Sequence, residues 1–180
     1  MAKKLIDLVR SKFGDKVIDS HSRLGNDTVI VERDALAEIV EFLRDDPQSK
    51  LDYVRDLTAV DYFRRVPRFE VVYVLYSMQH KHQLLLRAPL QEDDPKLPTI
   101  SHLYGVAEWL EREVFDMYGI VFEAHPDLRR VLMYPEFEGH PLRKDYRIQQ
   151  SQPRTELRAR ERDSVEEFNE YVKDRPAVGS

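Results

Sequence analysis

The segment Phe69–Tyr76 reads Phe-Glu-Val-Val-Tyr-Val-Leu-Tyr and is apolar at both alternating sets of positions. Side chains alternate between the two faces of a strand, so such a segment belongs inside a sheet that is covered on both sides. Strand patterns flank it at residues 53–63 and 84–89, and two shorter ones at 16–20 and 28–32 meet at a turn around Gly25-Asn26. Two helices accompany them. Leu5, Leu8, Val9 and Phe13 recur at helical spacing before Gly14, and Leu36, Ile39, Val40 and Leu43 do so between a candidate N-cap, Asp34, and Pro47. Helices this small cover one sheet face well, so a second cover is expected from another surface.

A longer helix is expected from His102, capped by Ser101, to Tyr118, ended by Gly119. Leu103, Val106, Ala107, Leu110, Val114 and Met117 form its core stripe, and Glu108, Arg112 and Asp116 an ion-pair ladder opposite. Tyr104, Trp109, Phe115 and Tyr118 fall on its flanks, leaving little of the surface fit for water. The helix is expected to be sandwiched. Beyond residue 122 the periodicity fails, and two charged segments punctuated by proline, 125–130 and 139–146, follow; proline holds such loops extended. Residues 147–180 carry seven basic and seven acidic side chains and one small apolar stripe, Val165, Phe168 and Val172, too little to bury alone. The expected organisation is an α+β globular domain at 1–120, an interface segment at 121–147 and a tail at 148–180. The sheet should be small and mixed or antiparallel, packed with helices, with a long extended C-terminal arm after it.

Composition removes whole classes of chemistry. None of the 180 residues is Cys, which excludes disulfides, thiolate metal sites and a cysteine nucleophile. The net charge of −5 gives no nucleic-acid footprint. The longest run without Asp, Glu, Lys or Arg is residues 97–107, about half of what a membrane-spanning helix needs. No signal peptide is visible, so the chain is expected to stay in the reducing compartment where it is made. The six glycines form no phosphate-binding loop.

Several side chains invite catalytic or metal-binding readings. His80 and His82 share one strand face but lack a third ligand nearby, which favours a surface role. His125 and His140 each precede proline; either could act as a base or ligand with Asp127, Glu136 or Glu138, or donate to a backbone carbonyl and pin its loop. Glu113 lies beside the core stripe and is expected to be partly buried, locked by Arg129, Arg130 or Arg143. A hydrolase using Glu113, Asp116, His125 and His140 is the alternative. The cations Arg129, Arg130, Arg143 and Lys144 are nearly cancelled by interleaved acids, the composition of a charged joint.

The run Glu108-Trp109-Leu110-Glu111-Arg112-Glu113-Val114-Phe115-Asp116-Met117-Tyr118-Gly119-Ile120 resembles the signature of the 30 kDa subunit family, the C subunit of the type I NADH:quinone oxidoreductases (respiratory complex I). So do His125-Pro126-Asp127-Leu128-Arg129-Arg130, Gly139-His140-Pro141-Leu142-Arg143-Lys144-Asp145-Tyr146, Leu57-Thr58-Ala59-Val60-Asp61-Tyr62 and Tyr76-Ser77, the likeness running over about 30–147. Phe137 and Arg147 depart from it, where members often carry Trp and Pro. The resemblance implies a small α+β subunit of the peripheral arm with no cofactor of its own; FMN, iron–sulfur clusters and quinone would sit in partner subunits. It also implies packing chiefly on the D subunit of such a complex, with the B subunit nearby, at the cytoplasmic face of a bacterial inner membrane. The expected contacts are Trp109, Glu113, Phe115, Asp116, His125, Arg129, Arg130, His140, Arg143, Lys144 and Tyr146. A ferredoxin- or hydrogenase-linked relative would carry an equivalent subunit.

Overall fold

The computed structural model describes residues 3–147, 149, 151 and 152. Helix α1 (Lys3–Phe13) leads into β1 (Val17–Arg23), β2 (Asn26–Val31) and α2 (Leu36–Asp45), and then β3 (Tyr53–Asp61), β4 (Phe69–Tyr76) and β5 (Gln83–Leu90). A short β6 (Lys96–Pro98), α3 (Ala107–Tyr118) and β7 (Val121–Glu123) complete the order. Residues 3–135, 139–147 and 149 group into one compact unit, which holds the sheet. Residues 136–138 with 151 and 152 fall in a second, where Glu138 and Gln152 exchange two hydrogen bonds of 3.0 Å. The rest of the expected arm, including the Val165, Phe168 and Val172 stripe, lies outside the described residues.

The five-stranded sheet has the order β1-β2-β5-β4-β3, antiparallel except where β2 meets β5. That parallel pair follows from topology: the chain leaves β2, crosses through α2 and meanders through β3 and β4 before β5 returns beside β2. Register then sorts the side chains. Val29, Leu86, Tyr73 and Leu57 lie in one row, and Val71 faces Ala88 on the same side. All are buried, with Val9, Phe13, Leu36, Ile39, Leu43 and Val114 from the helices packed into the same core.

The opposite face is the one that the helices leave open. Val72 is buried, but Val74, Tyr76, Leu85 and Ile30 are only half-buried. The helices cover one side, as in an α+β layer structure, and a Glu70–Arg87 ion pair occupies part of the other.

Helix α3 begins at Ala107, five residues later than expected, without a side-chain cap. The preceding residues make turns, with Leu103 and Tyr104 N–H groups both on the Ile100 carbonyl. Two tertiary contacts anchor these turns: the Ile100 N–H donates to the Glu111 carboxylate at 2.8 Å, and the Tyr104 hydroxyl donates to the Leu51 carbonyl. Tyr104 is therefore a core residue rather than a flank. Asp34 likewise caps no helix; a 3-10 turn over Arg33–Ala35 carries the chain into α2. Strands β6 and β7, absent from the sequence reading, pair in parallel on either side of α3 and hold both its ends.

Tyr73 sits at the centre of this core, fully buried, with no hydrogen-bond partner for its hydroxyl among the described residues. A buried hydroxyl without a partner costs about 1–3 kcal/mol. Tyr73→Phe should therefore raise unfolding stability by about 1 kcal/mol or more in urea titration; a loss would show that the hydroxyl has a partner.

Candidate functional site

Ionisable side chains concentrate around α3 and the loops that follow it. The buried positions of α3 include Glu111, Arg112 and Asp116 beside Ala107, Val114 and Met117. The surrounding chain engages each charge.

Asp116 is the densest node. Its Oδ1 accepts from Arg130 Nη1 at 2.8 Å, and its Oδ2 accepts the backbone N–H groups of Val131, Leu132 and Met133 at 3.1, 2.8 and 2.8 Å. Burial pushes this carboxyl up, but the N–H groups of Met133, Leu132 and Val131 together with Arg130 outweigh it and hold the group below the usual range. The Asp116 carbonyl meets His140 Nδ1 at 2.9 Å, and burial pushes that imidazole down.

Arg112, one turn earlier, donates from Nε to the Arg129 carbonyl at 3.1 Å and from Nη2 to the Arg130 carbonyl at 3.4 Å, with its guanidinium 4.9 Å from the Trp109 ring. The Glu108–Arg112–Asp116 ladder is therefore replaced by contacts to the loop. The expected burial of Glu113 is also overturned: Glu113 is exposed, and the buried lock is Asp116–Arg130. An error of a few residues around a helix moves a carboxylate from the packed side to water.

Glu111 is the buried carboxyl on the other flank. It accepts from the Thr99 hydroxyl and the Ile100 N–H, and lies 3.8 Å from His125 Nε2. That imidazole accepts the Asp127 N–H at Nδ1, which leaves Nε2–H to donate to the Glu108 carbonyl at 3.1 Å. Burial raises Glu111 to about 7, against the hydrogen bonds from Thr99 and Ile100.

A second charged node ties the end of the chain to the sheet. Arg68, 3% exposed, is bidentate to Asp61 at 3.0 and 2.9 Å, reaches Asp145 at 2.9 Å and also pairs with Glu92. Asp61 further accepts the Lys144 N–H at 2.8 Å. Arg143 donates to the Tyr118 carbonyl and lies over the Phe69 ring. Gly119 makes this approach possible, with φ +72 and a virtual Cβ only 2.4 Å from His140 Nε2 and 2.7 Å from Arg143 Nη2.

The structure thus gathers Asp116, Arg130 and His140 into one cluster, while Arg143 and Lys144 join the Arg68 node. Phe115 lies edge-on to His140 with ring centroids 6.5 Å apart. His125 belongs to the Glu111 flank. Arg129 is exposed and pairs with Asp127 at 2.9 Å. Trp109, Leu132 and Leu142 are 58%, 57% and 48% exposed on the segments so pinned. Sequence reasoning missed Arg68 and Asp61 as a lock and Glu111 as the buried carboxyl. The available signal was a charged residue set against apolar neighbours at a strand end and inside a helical stripe.

The grouping proposed for a hydrolase does not form. Glu113 faces solvent, Asp116 is saturated by four donors, and both imidazoles are spent on backbone carbonyls. His80 and His82 contact the Pro47 and Ser49 carbonyls at 3.0 and 2.6 Å. Among the described residues no three His, Cys, Asp or Glu side chains are arranged to hold a metal, and no helix is long and apolar enough to cross a membrane.

The family described as respiratory-chain NADH dehydrogenase, 30 Kd subunit, matches residues 29–152, and the chain belongs to it. The chain is 41% identical over 147 residues to the C subunit of the NADH-quinone oxidoreductase of Trichlorobacter lovleyi, covering 81% of this chain and 90% of that protein. It is 46% identical over 144 residues to the same protein of Geobacter metallireducens, covering 78% and 86%. Among solved structures, the trypsin-resistant fragment (1-134) of Nqo5 aligns with TM-score 0.61 at 33% identity, over 70% of this chain and 98% of that one. A chain of the membrane-bound sulfane sulfur reductase, an archaeal respiratory membrane complex, shares the fold with TM-score 0.67 at 22% identity, over 82% and 86%.

Two measurements check the geometry. Gly119→Ala combines a left-handed backbone with a clash, so it should cost on the order of 3 kcal/mol. Gly14→Ala meets no atom within 4 Å and should cost under about 1 kcal/mol; equal losses in urea titration would contradict the packing. Glu111, raised to about 7 in the folded chain from an ordinary 4.5, stabilises fully below pH 4.5 and loses that contribution as pH rises through 7. Relative to Glu111→Gln, the native chain should lose on the order of 3 kcal/mol across that window. A pH-independent difference would show that the carboxyl ionises freely.

Proposed function

We propose that this chain is a cofactor-free structural subunit in the peripheral arm of a proton-translocating NADH:quinone oxidoreductase. In this reading electrons pass from NADH through FMN and iron–sulfur clusters of other subunits to quinone. This chain fixes the placement of the neighbours that carry them. The D subunit of the complex is its main partner and the B subunit a further one, at the cytoplasmic face of a bacterial inner membrane. The interface comprises Trp109, Glu113, Phe115, Asp116, His125, Arg129, Arg130, His140, Arg143, Lys144 and Tyr146.

The observation that carries the reading is the exposure of Trp109 on α3, of Leu132, whose N–H is held by Asp116, and of Leu142, whose N–H is held by the Met117 carbonyl. Exposed apolar side chains on a preorganised backbone lose little entropy when covered, which is what a permanent interface requires. The half-buried second face of the sheet offers further apolar surface.

The test is complementation of a strain lacking this protein. The wild-type chain should restore the assembled arm and NADH:quinone reductase activity in membranes. A variant carrying Trp109→Glu with Leu142→Glu should fold normally alone, yet recover less than about a tenth of both. Full recovery by that variant would move the interface elsewhere; normal activity in the deletion strain would end the proposal.

A further inference from the structure

The side chains of Glu111 and His125 are both closed off from water, and their polar atoms approach to 3.8 Å. Glu111, on α3, accepts the Thr99 hydroxyl and the Ile100 N–H from the chain just after β6. No Lys or Arg pairs with it among the described residues. Arg112, next along α3, turns instead to the Arg129 and Arg130 carbonyls, with Asp127 at 4.0 Å. Tyr73 approaches from β4, and burial together with the Glu111 charge pushes its hydroxyl up. A carboxylate in this setting lacks the cation that removal from water calls for, so the pocket suits the neutral acid. Burial raises Glu111 to about 7 accordingly.

The proton has a route to water. On Oε2 it faces Thr99 Oγ1, whose own hydroxyl then donates to Ser101 Oγ at 2.8 Å. Ser101 is half-buried, so the hydroxyls lead from the enclosed carboxyl to the surface.

His125 stands between two acceptors. Its Nδ1 accepts the Asp127 N–H at 3.1 Å, so Nε2 carries the ring proton. That Nε2 lies 3.1 Å from the Glu108 carbonyl and 3.8 Å from Glu111 Oε2. A neutral Glu111 leaves the carbonyl as the better acceptor. An ionised one reverses the order, because a charged acceptor binds a donor roughly twice as strongly as a neutral one. The imidazole can answer only by moving, and the Asp127 N–H moves with it. Asp127 begins the stretch whose Arg129 and Arg130 carbonyls hold Arg112, and Arg112 lies against the exposed Trp109 ring.

We propose that Glu111 and His125 form a proton-operated latch between α3 and residues 125–130. With Glu111 neutral, His125 seats this segment on the Glu108 carbonyl. When the Glu111 proton leaves to water by way of Thr99 and Ser101, the carboxylate draws the His125 Nε2–H to itself and the segment is unseated. The latch is a property of the lone chain. Its regulation of the surface around Trp109 rests on the proposed subunit role.

The test is amide hydrogen exchange of the full chain, read by NMR between about pH 5.5 and about pH 8.5, with the infrared band of a protonated carboxyl followed in parallel. The band is expected at the acid end, absent at the alkaline end, and missing throughout from Glu111→Gln. Over the same interval the Asp127 amide should lose at least about tenfold in protection, after correction for base-catalysed exchange, while the Tyr73 and Leu86 amides in the sheet keep theirs. Glu111→Gln, which stays neutral and retains an acceptor for Ile100, should hold the Asp127 protection at every pH. Where that variant fails to fold, the His125 ring-nitrogen shifts of the native chain decide, and they should move in one step with the infrared band. An unchanging band, Asp127 protection independent of pH, the same loss in Glu111→Gln, or ring shifts that move apart from the band would each overturn the latch. None of these outcomes alters the complementation result by which the subunit role is judged.

Discussion

The Asp116 carboxylate is the constraint on which the architecture after the sheet depends. It gathers three consecutive backbone N–H groups and one guanidinium from residues 130–133, none of which belongs to a helix or strand. Irregular chain carries polar backbone groups that need partners, and a buried carboxylate supplies several acceptor sites at one point. The carboxylate in turn needs donors to offset its removal from water. Each solves the other's problem, so the loop has a defined course without secondary structure of its own.

The Arg68 node plays the matching role for residues 143–146. Its guanidinium links β4's entry to Asp61 of β3 and to Asp145, and Asp61 also takes the Lys144 N–H. Arg143 and His140 then close over Gly119, where any side chain would collide. The two nodes therefore attach the late loops to both the helix and the sheet. Residues bearing exposed Trp109, Leu132 and Leu142 are presented on a framework whose polar groups are already committed inward. Such a surface can be covered without reorganising the groups beneath it.

Glu111 shows a different use of a buried carboxyl. It stands in the helical stripe where an apolar residue would pack, and it accepts one hydroxyl and one N–H from residues 99 and 100. With only two donors its charge is poorly compensated, and burial raises it to about 7. Asp116, with four donors, is held below the usual range. Depth of burial, donor number and the charge of Arg130 together set the direction.

Much of the fold was legible because it rests on local periodicity. The apolar run at Phe69–Tyr76, the helical stripes of α1 and α2, and the stop at Gly119 are properties of neighbouring residues, and each element formed near its expected place. Motifs of specific, irregular sequence around α3 and the late loops likewise carried the family likeness, and with it the α+β class. Strands β6 and β7 escaped because three residues hold no period, and the turns before α3, anchored through Ile100 and Tyr104 to Glu111 and Leu51, depend on tertiary contacts. The charged joint was recognisable by composition, but its pairing was not: Glu113 faces water while Asp116 and Glu111 are buried, a difference of rotation about one helix. Sequence alone settled the longer helices and strands, since those depend on spacing along the chain. Only the tertiary structure chose which carboxylate meets which arginine, because those partners lie far apart in sequence and are matched by how the helix turns against the sheet.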